Sequence, residues 1–296
     1  MSAKIIDGKA VSDKIKAEIK AEVESIKIKT GRVPGLAVVL AGEDPASKVY
    51  VTMKGKACVE LGIKSIEHKL PKTVSEKDLL ILVDELNKNN EINGILVQLP
   101  LPRHINEDKI LNAIDPSKDV DGFHPVNVGK LMTGQDTFLP CTPYGIQKLL
   151  AVSGNDPKGK HVVVVGRSNI VGKPIAMIIV QKKEFADATV TICHSRTANL
   201  KEITSQADIL IAAIGQPEYI KADMVNDKAV VIDVGVNRVE DSSKKSGYRL
   251  VGDVAFDEVK EKVQAITPVP GGVGPMTIVM LIYNTLMSFK KANNLN

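Results

Sequence analysis

The chain has no tryptophan and only five tyrosines and five phenylalanines in 296 residues. It also has no Arg-rich run, so it lacks the mix of cations and aromatic rings that a nucleic-acid surface uses, and no nucleic-acid partner is expected. Its three cysteines, Cys58, Cys141 and Cys193, are odd in number, widely spaced and without C-x-x-C pairing. That argues against a disulfide frame or a zinc site and for reduced thiols in a cytoplasmic protein; no metal is expected. No run approaches the roughly 18 apolar residues of a membrane helix, and Met1-Ser-Ala-Lys-Ile-Ile-Asp7 lacks the apolar core of a leader. A soluble, untargeted protein with no membrane partner is expected. The net charge of +4 is mildly basic and suits an anionic small molecule.

What is present is organised around His161-Val-Val-Val-Val-Gly166-Arg-Ser-Asn-Ile-Val-Gly172-Lys-Pro174. Four valines ending in glycine read as a strand buried on both faces of a parallel sheet. Gly166 allows a tight turn, Gly172 close packing of a helix, and Pro174 fits that helix's first turn. A strand, a glycine-bounded turn and a helix N-terminus together form an anion site. Ser168 replaces the central glycine of the dinucleotide fingerprint G-x-G-x-x-G, so a plain βα turn stays open as a reading. A second apolar run, Ala188 to His194, ends in Ser195 and Arg196, where an NAD enzyme places a carboxylate. A hydroxyl and a guanidinium there, with Arg167 nearby, suit a 2′-phosphate, so NADP is expected.

The first half alternates helices and strands. Apolar residues at Val11, Ile15, Ile19, Val23 and Ile26 predict a first helix, and Gly35–Ala41 a strand. Asp44 and Pro45 open a helix running to about Leu61. Ile63–Leu70 predicts a strand, Ser75 a helix through about Asn89, and Gly94–Pro100 a third strand. Such βα units imply a parallel sheet. Tyr50 and Lys54 share one helix face and Lys56 points elsewhere; a solvent-facing pair is the alternative. Gln98, near the carboxyl end of an apolar strand, must find a partner: a ligand-side group or a neighbouring loop. Asp119 and Asp121 bring carboxylates into a turn and are equally readable as turn formers.

In the second half, Ala207–Gly215 and Ala229–Gly235 predict buried strands ending in glycine, with Asn237-Arg238 and Gly252-Asp253-Val254 continuing the same rim. Ile266 to Thr277, dense in proline and glycine, predicts a ligand-facing loop before a helix at Ile278–Lys291. With single cores ceasing to grow at roughly 250–300 residues, two domains are expected. These are 1–140, joined by a C-terminal helix at 275–296, and 141–274.

Five motifs resemble the bifunctional methylenetetrahydrofolate dehydrogenase/methenyltetrahydrofolate cyclohydrolase family. They are Tyr50-Val-Thr-Met-Lys54-Gly-Lys56, Gly94-Ile-Leu-Val-Gln98-Leu-Pro100-Leu-Pro102, Lys118-Asp-Val-Asp121-Gly122, the Gly166–Pro174 turn, and Thr267-Pro-Val-Pro270-Gly-Gly-Val-Gly274-Pro-Met-Thr277. The resemblance implies two αβ domains around a cleft: an N-terminal parallel-sheet folate domain and a C-terminal Rossmann-like NADP domain. It implies that Tyr50 stacks on the folate ring, Lys54 is the catalytic lysine, Gln98 partners it and Asp121 holds the pterin edge. Val97 and Leu99, with Pro270, Gly271, Gly272, Gly274, Pro275 and Thr277, would line the substrate. Gly166, Arg167, Ser168, Ser195, Arg196, Gly215 and Val236 would hold NADP. A homodimer acting on tetrahydrofolate derivatives, in the one-carbon supply for purine biosynthesis, is also implied.

The chemistry follows from the substrate so implied. Hydride loss from the methylene carbon leaves a delocalised N5–C–N10 cation and needs alignment rather than a base. Hydrolysis of that cation needs a base for the attacking water. Like charge and desolvation beside the cation favour the neutral amine of Lys54, which Gln98 orients without adding charge. A dehydrogenase with little hydrolytic activity and a non-catalytic nucleotide-binding protein are the rival readings.

Overall fold

The computed structural model describes residues 2–244 and 247–295. Packing divides the chain into two units: Met1–Ser12 with Thr142–Thr277, and Asp13–Cys141 with Ile278–Asn296. In chain order the first half contains β1 (Lys4–Ile5), α1 (Gly8–Thr30), β2 (Gly35–Ala41), α2 (Pro45–Glu60), β3 (Lys64–Leu70), α3 (Glu76–Lys88), β4 (Gly94–Val97), α4 (Glu107–Ala113) and α5 (Pro125–Met132). The second half contains α6 (Cys141–Val152), β5 (His161–Val165), α7 (Gly172–Ile179), β6 (Thr189–Cys193), α8 (Leu200–Thr204), β7 (Ile209–Ala212), β8 (Val230–Asp233), β9 (Asn237–Glu240), β10 (Tyr248–Val251), α9 (Phe256–Val259), β11 (Ala265–Ile266) and α10 (Val273–Ala292).

In the unit that holds Asp13–Cys141, three parallel strands run in the order β3-β2-β4. All seven residues of β2 are buried, as a strand covered on both faces requires. The α3 stripe Leu79, Val83 and Leu86 packs in one cluster with Ala37, Val39, Ile95 and Val97. Asp119 bridges to Ile95 and extends the sheet beyond β4. The later part of α10 is stitched to this sheet. Asn284 donates to the carbonyls of Val120 at 2.8 Å and Leu139 at 3.0 Å. Ser288 donates to those of Asn93 at 2.6 Å and Ser117 at 2.9 Å.

The other unit is a six-stranded parallel sheet, β1-β11-β8-β7-β5-β6, with β9 and β10 as an antiparallel hairpin. Val162 to Val165 are wholly buried. From β5 the chain passes to β6 on one side, then returns to β7 on the other. That reversal is the point where open α/β sheets bind ligands, at the carboxyl ends of the strands. The smaller sheet repeats the pattern, with β3 and β4 flanking β2.

Two boundaries differ from the sequence reading. The first residues, expected with the N-terminal domain, pair with the larger sheet: Lys4 lies opposite Ala265 and Ile5 opposite Ile266. Two residues carry no periodic signal, and it is the backbone that holds them, through bonds such as Ile6 N–H to Ile266 O at 2.8 Å. The last helix begins at Val273 rather than Ile278. Pro275 falls in its first turn, where a missing N–H breaks no helical hydrogen bond. Among the described residues no helix is long and apolar enough to cross a membrane.

Candidate active site and cofactor site

In the three-stranded unit the site starts with the cap of α2. Asp44 accepts the Ser47 N–H at 2.7 Å, Pro45 occupies the first turn, and the helix runs back from the carboxyl edge of β2. Lys54, three turns in, is only 6% exposed, whereas Lys56 is exposed. The Lys54 ammonium donates to Gln98 Oε1 at 2.9 Å. Gln98 is fixed from behind: its Nε2 donates to the Leu99 carbonyl at 2.8 Å and its own N–H to Val39 O at 2.9 Å. With the amide nitrogen so engaged, the carbonyl end must face the lysine. Tyr50 is half-buried one turn earlier on α2, Val97 is buried at the end of β4, and Leu99 is half-buried.

The two aspartates of the following turn have different jobs. Asp119 is buried and accepts the N–H groups of Gly122 at 3.1 Å, Phe123 at 3.3 Å and His124 at 2.8 Å, and Asn127 Nδ2 at 2.9 Å. It builds the turn. Asp121 keeps a partly exposed edge, but its carboxyl lies deep, and burial pushes it above the ordinary carboxylate range. The positive charge of Lys54 opposes that shift and the negative charge of Asp119 adds to it. The sequence reading left both open as turn formers; the hydrogen bonds give that work to Asp119.

Cys141, read from sequence only for redox state, also belongs here. Its thiol donates to Val120 O at 3.4 Å and is pushed well up by burial, then by the charge of Asp121. No sequence signal marked it, because a buried thiol beside a carboxylate is a matter of folding. Cys58 sits one turn after Lys54 on α2 itself, and burial pushes it up to about 12, so it stays a thiol. All three cysteines are free and buried.

In the six-stranded unit the β5 turn is shaped by glycine. Gly166 has φ +141°, and a Cβ there would collide with the Ala213 carbonyl; one on Gly172 would collide with Gly166 O. The Ser168 hydroxyl oxygen accepts the N–H groups of Val171 at 3.1 Å and Gly172 at 3.3 Å. Its own O–H proton remains free to be donated. Arg167, Ser195, Arg196, Gly215 and Val236 are all exposed at loops leaving the strands. The turn bearing Ser195 is closed by His194 N–H to Thr197 Oγ1 at 2.9 Å and Arg196 N–H to His194 Nδ1 at 3.2 Å.

The proline- and glycine-rich segment is anchored in the same unit. Lys9 N–H donates to Gly271 O at 3.0 Å, Ser12 Oγ to Pro275 O at 3.3 Å, and Thr142 Oγ1 lies 2.8 Å from Thr277 Oγ1. A Cβ on Gly8 would strike Gly272 O, and Gly272 itself packs on Thr267 and Pro268. Pro270 is exposed, while Gly271, Gly274, Pro275 and Thr277 are half-buried. The docking of the chain's start on this segment was not legible in the sequence.

Two family descriptions match the chain in succession. "Tetrahydrofolate dehydrogenase/cyclohydrolase, catalytic domain" covers residues 6–121, and "Tetrahydrofolate dehydrogenase/cyclohydrolase, NAD(P)-binding domain" covers residues 140–293. The chain is 57% identical over 293 residues to the Bifunctional protein FolD of Chlorobium phaeobacteroides, 98% of each chain. Among solved structures it is similar to the bifunctional methylenetetrahydrofolate dehydrogenase/cyclohydrolase FolD of Campylobacter jejuni. The identity is 49% and the TM-score 0.92, over 98% of this chain and 99% of that one. It is also similar to the Trypanosoma brucei N5,N10-methylenetetrahydrofolate dehydrogenase-cyclohydrolase, solved with NADP and an inhibitor. There the identity is 41% and the TM-score 0.94, over 99% of each.

Proposed function

The chain belongs to the tetrahydrofolate dehydrogenase/cyclohydrolase family, and from that membership we propose how its residues serve the two reactions. The enzyme oxidises 5,10-methylenetetrahydrofolate to 5,10-methenyltetrahydrofolate with NADP, then hydrolyses the product to 10-formyltetrahydrofolate. The observation that carries the assignment of roles is the 2.9 Å bond from the buried Lys54 amine to Gln98. A carboxamide partner aims that amine without adding a charge of its own.

In the hydrolytic step, water adds to the methenyl carbon and a C–O bond forms. The Lys54 amine takes the proton that water loses as the C=N π pair returns to nitrogen. The new hydroxyl then gives its proton to solvent as C=O forms, the carbon–N5 bond breaks, and Lys54 returns its proton to N5. Gln98 keeps the amine aimed and adds no charge. Asp121 accepts hydrogen bonds from the pterin edge, Tyr50 stacks on the ring, and Val97 and Leu99 supply apolar walls. Pro270, Gly271, Gly272, Gly274, Pro275 and Thr277 are the further residues we assign to substrate binding, on the family likeness.

The β5 edge fits a dinucleotide phosphate: two glycines leave no room for a Cβ, and the Ser168 hydroxyl has a proton to give. Bound there, NADP supplies the hydride acceptor. Arg167, Ser195 and Arg196 hold its 2′-phosphate, and Gly166, Gly215 and Val236 form its bed. A homodimer in the cytoplasm completes the reading, supported by the family likeness and the three reduced, buried thiols. Sedimentation of the purified protein tests the dimer.

The deciding assay follows reduced cofactor and methenyl product together from 5,10-methylenetetrahydrofolate, with NADP and with NAD. NADPH formation without lasting methenyl accumulation is expected. Accumulating methenyl would leave the dehydrogenase and remove the hydrolytic role of Lys54. A faster reaction with NAD would overturn the reading of Arg167 and Ser195.

A further inference from the structure

Two buried carboxylates in the six-stranded unit take no part in this chemistry. Asp233 closes β8, and Asp253 follows β10; Asp253 is wholly buried. Asp253 Oδ2 accepts two successive main-chain N–H groups, those of Ile214 at 2.7 Å and Gly215 at 2.8 Å. Its Oδ1 accepts Asn237 Nδ2 at 2.9 Å. Asp253 is held in turn by Asp233. Asp233 Oδ1 accepts the N–H groups of Asp253 at 2.8 Å and Gly235 at 3.0 Å, and its Oδ2 that of Val254 at 3.0 Å. The space is cut to these carboxylates: a Cβ on Gly235 would collide with Asp253, and one on Gly252 with Asp233.

Burying a carboxylate is costly unless its oxygens are satisfied, so this placement needs a return in geometry. The amides it secures leave β7 at the reversal point of the sheet, beside the Gly166 turn. Ala213 N–H bonds Val165 O at 2.8 Å, and Ala213 O fills the space that the missing Gly166 Cβ leaves. Gly215 itself is exposed with φ +74°, and no described atom lies within 4 Å of where its Cβ would be. Because the N–H groups of Ile214 and Gly215 point back at a carboxylate, they are not available to bind an anion.

We propose that Asp253 is a positioning residue for the cofactor. It fixes the Ile214–Gly215 backbone as a wall against an uncharged part of the dinucleotide, a ring or a ribose, while Asp233 holds Asp253 in register. The proposal rests on the NADP reading of the β5 edge. The phosphates bind at the Gly166–Ser168 turn, and the β7 wall sets the reach of the rest.

The test compares wild type with Asp253→Ala and Asn237→Ala. Three readouts are taken: the NADP KM and kcat of the dehydrogenase, hydrolysis of methenyltetrahydrofolate without NADP, and amide exchange at Ile214 and Gly215. For Asp253→Ala the expected result is a rise of about tenfold or more in NADP KM, with hydrolysis within about twofold and faster exchange at both amides. For Asn237→Ala, which frees one carboxylate oxygen only, a rise of about two- to threefold is expected. A folded Asp253→Ala with unchanged NADP KM overturns the proposal, and so does hydrolysis falling in step with dehydrogenation. Should Asp253→Ala fail to fold, an unchanged NADP KM in Asn237→Ala overturns it. Wild type inactive with NADP would instead sink the cofactor reading beneath it.

Discussion

The two units solve the same topological problem with different materials. Each flanks its first full strand with a parallel neighbour on both sides and presents a candidate site at the carboxyl edge where the strand order reverses. In the three-stranded unit that edge is built from side chains: a buried amine bonded to a carboxamide, and a carboxylate that feels the amine's charge. In the six-stranded unit it is built from backbone, with glycines making room and exposed Ser and Arg side chains added outside. The difference follows from the work. Proton transfer needs titratable groups shielded from water, whereas holding a phosphate needs close-set N–H groups and a helix end.

The comparison can be broken hardest at Lys54. Lys54→Met should lower methenyl hydrolysis by about 10²- to 10⁴-fold, the usual contribution of a positioned base, and leave NADP affinity alone. Hydrolysis at the wild-type rate would remove the side-chain half of the contrast. Next in size is Gly166→Ala. A Cβ there strikes a carbonyl, and φ +141° favours glycine, so the NADP KM should rise about tenfold or more while hydrolysis without cofactor persists. Equal loss of both activities would mean that the turn supports the fold rather than the ligand.

The smallest effect is one of pH, and it sharpens the contrast by showing a titrating group in the backbone-built unit. An unfolded aspartate titrates near 3.9, and burial lifts Asp233 to about 7, with Asp253 adding to the rise and three main-chain N–H groups opposing it. Between those values the folded chain holds a proton that the unfolded chain has lost. Stability from this group is therefore complete below about pH 4 and is lost as pH rises through about 7. Urea midpoints taken on both sides of that window should fall toward alkaline pH, and by less in Asp233→Asn. An identical fall in both proteins would show that Asp233 does not titrate there.

How far such features could be read in advance depended on whether burial leaves a pattern. The strands β2, β4, β5, β7 and β8 stood out because burial on both faces demands unbroken apolar runs, and the caps Asp44 and Ser75 stood out because unpaired N–H groups demand them. The two-residue β1 and the β9–β10 hairpin did not, since short or half-exposed strands repeat nothing. Gln98 was legible as a polar residue on an apolar strand, whereas spacing left Tyr50 and Lys54 open as a solvent-facing pair and Asp121 as a turn former until the family resemblance singled them out. Asp233, Asp253 and Cys141 were not, because their meaning lies in partners far along the chain that no spacing announces.

The amide of Asn284 carries one more consequence, about order in time. It answers the carbonyls of Val120 and Leu139, which flank the Asp121 turn, yet it is made long after them. On the ribosome the first half emerges with those carbonyls still unanswered by protein. The backbone on either side of the Asp121 turn thus gains these two side-chain bonds only once residue 284 has been made.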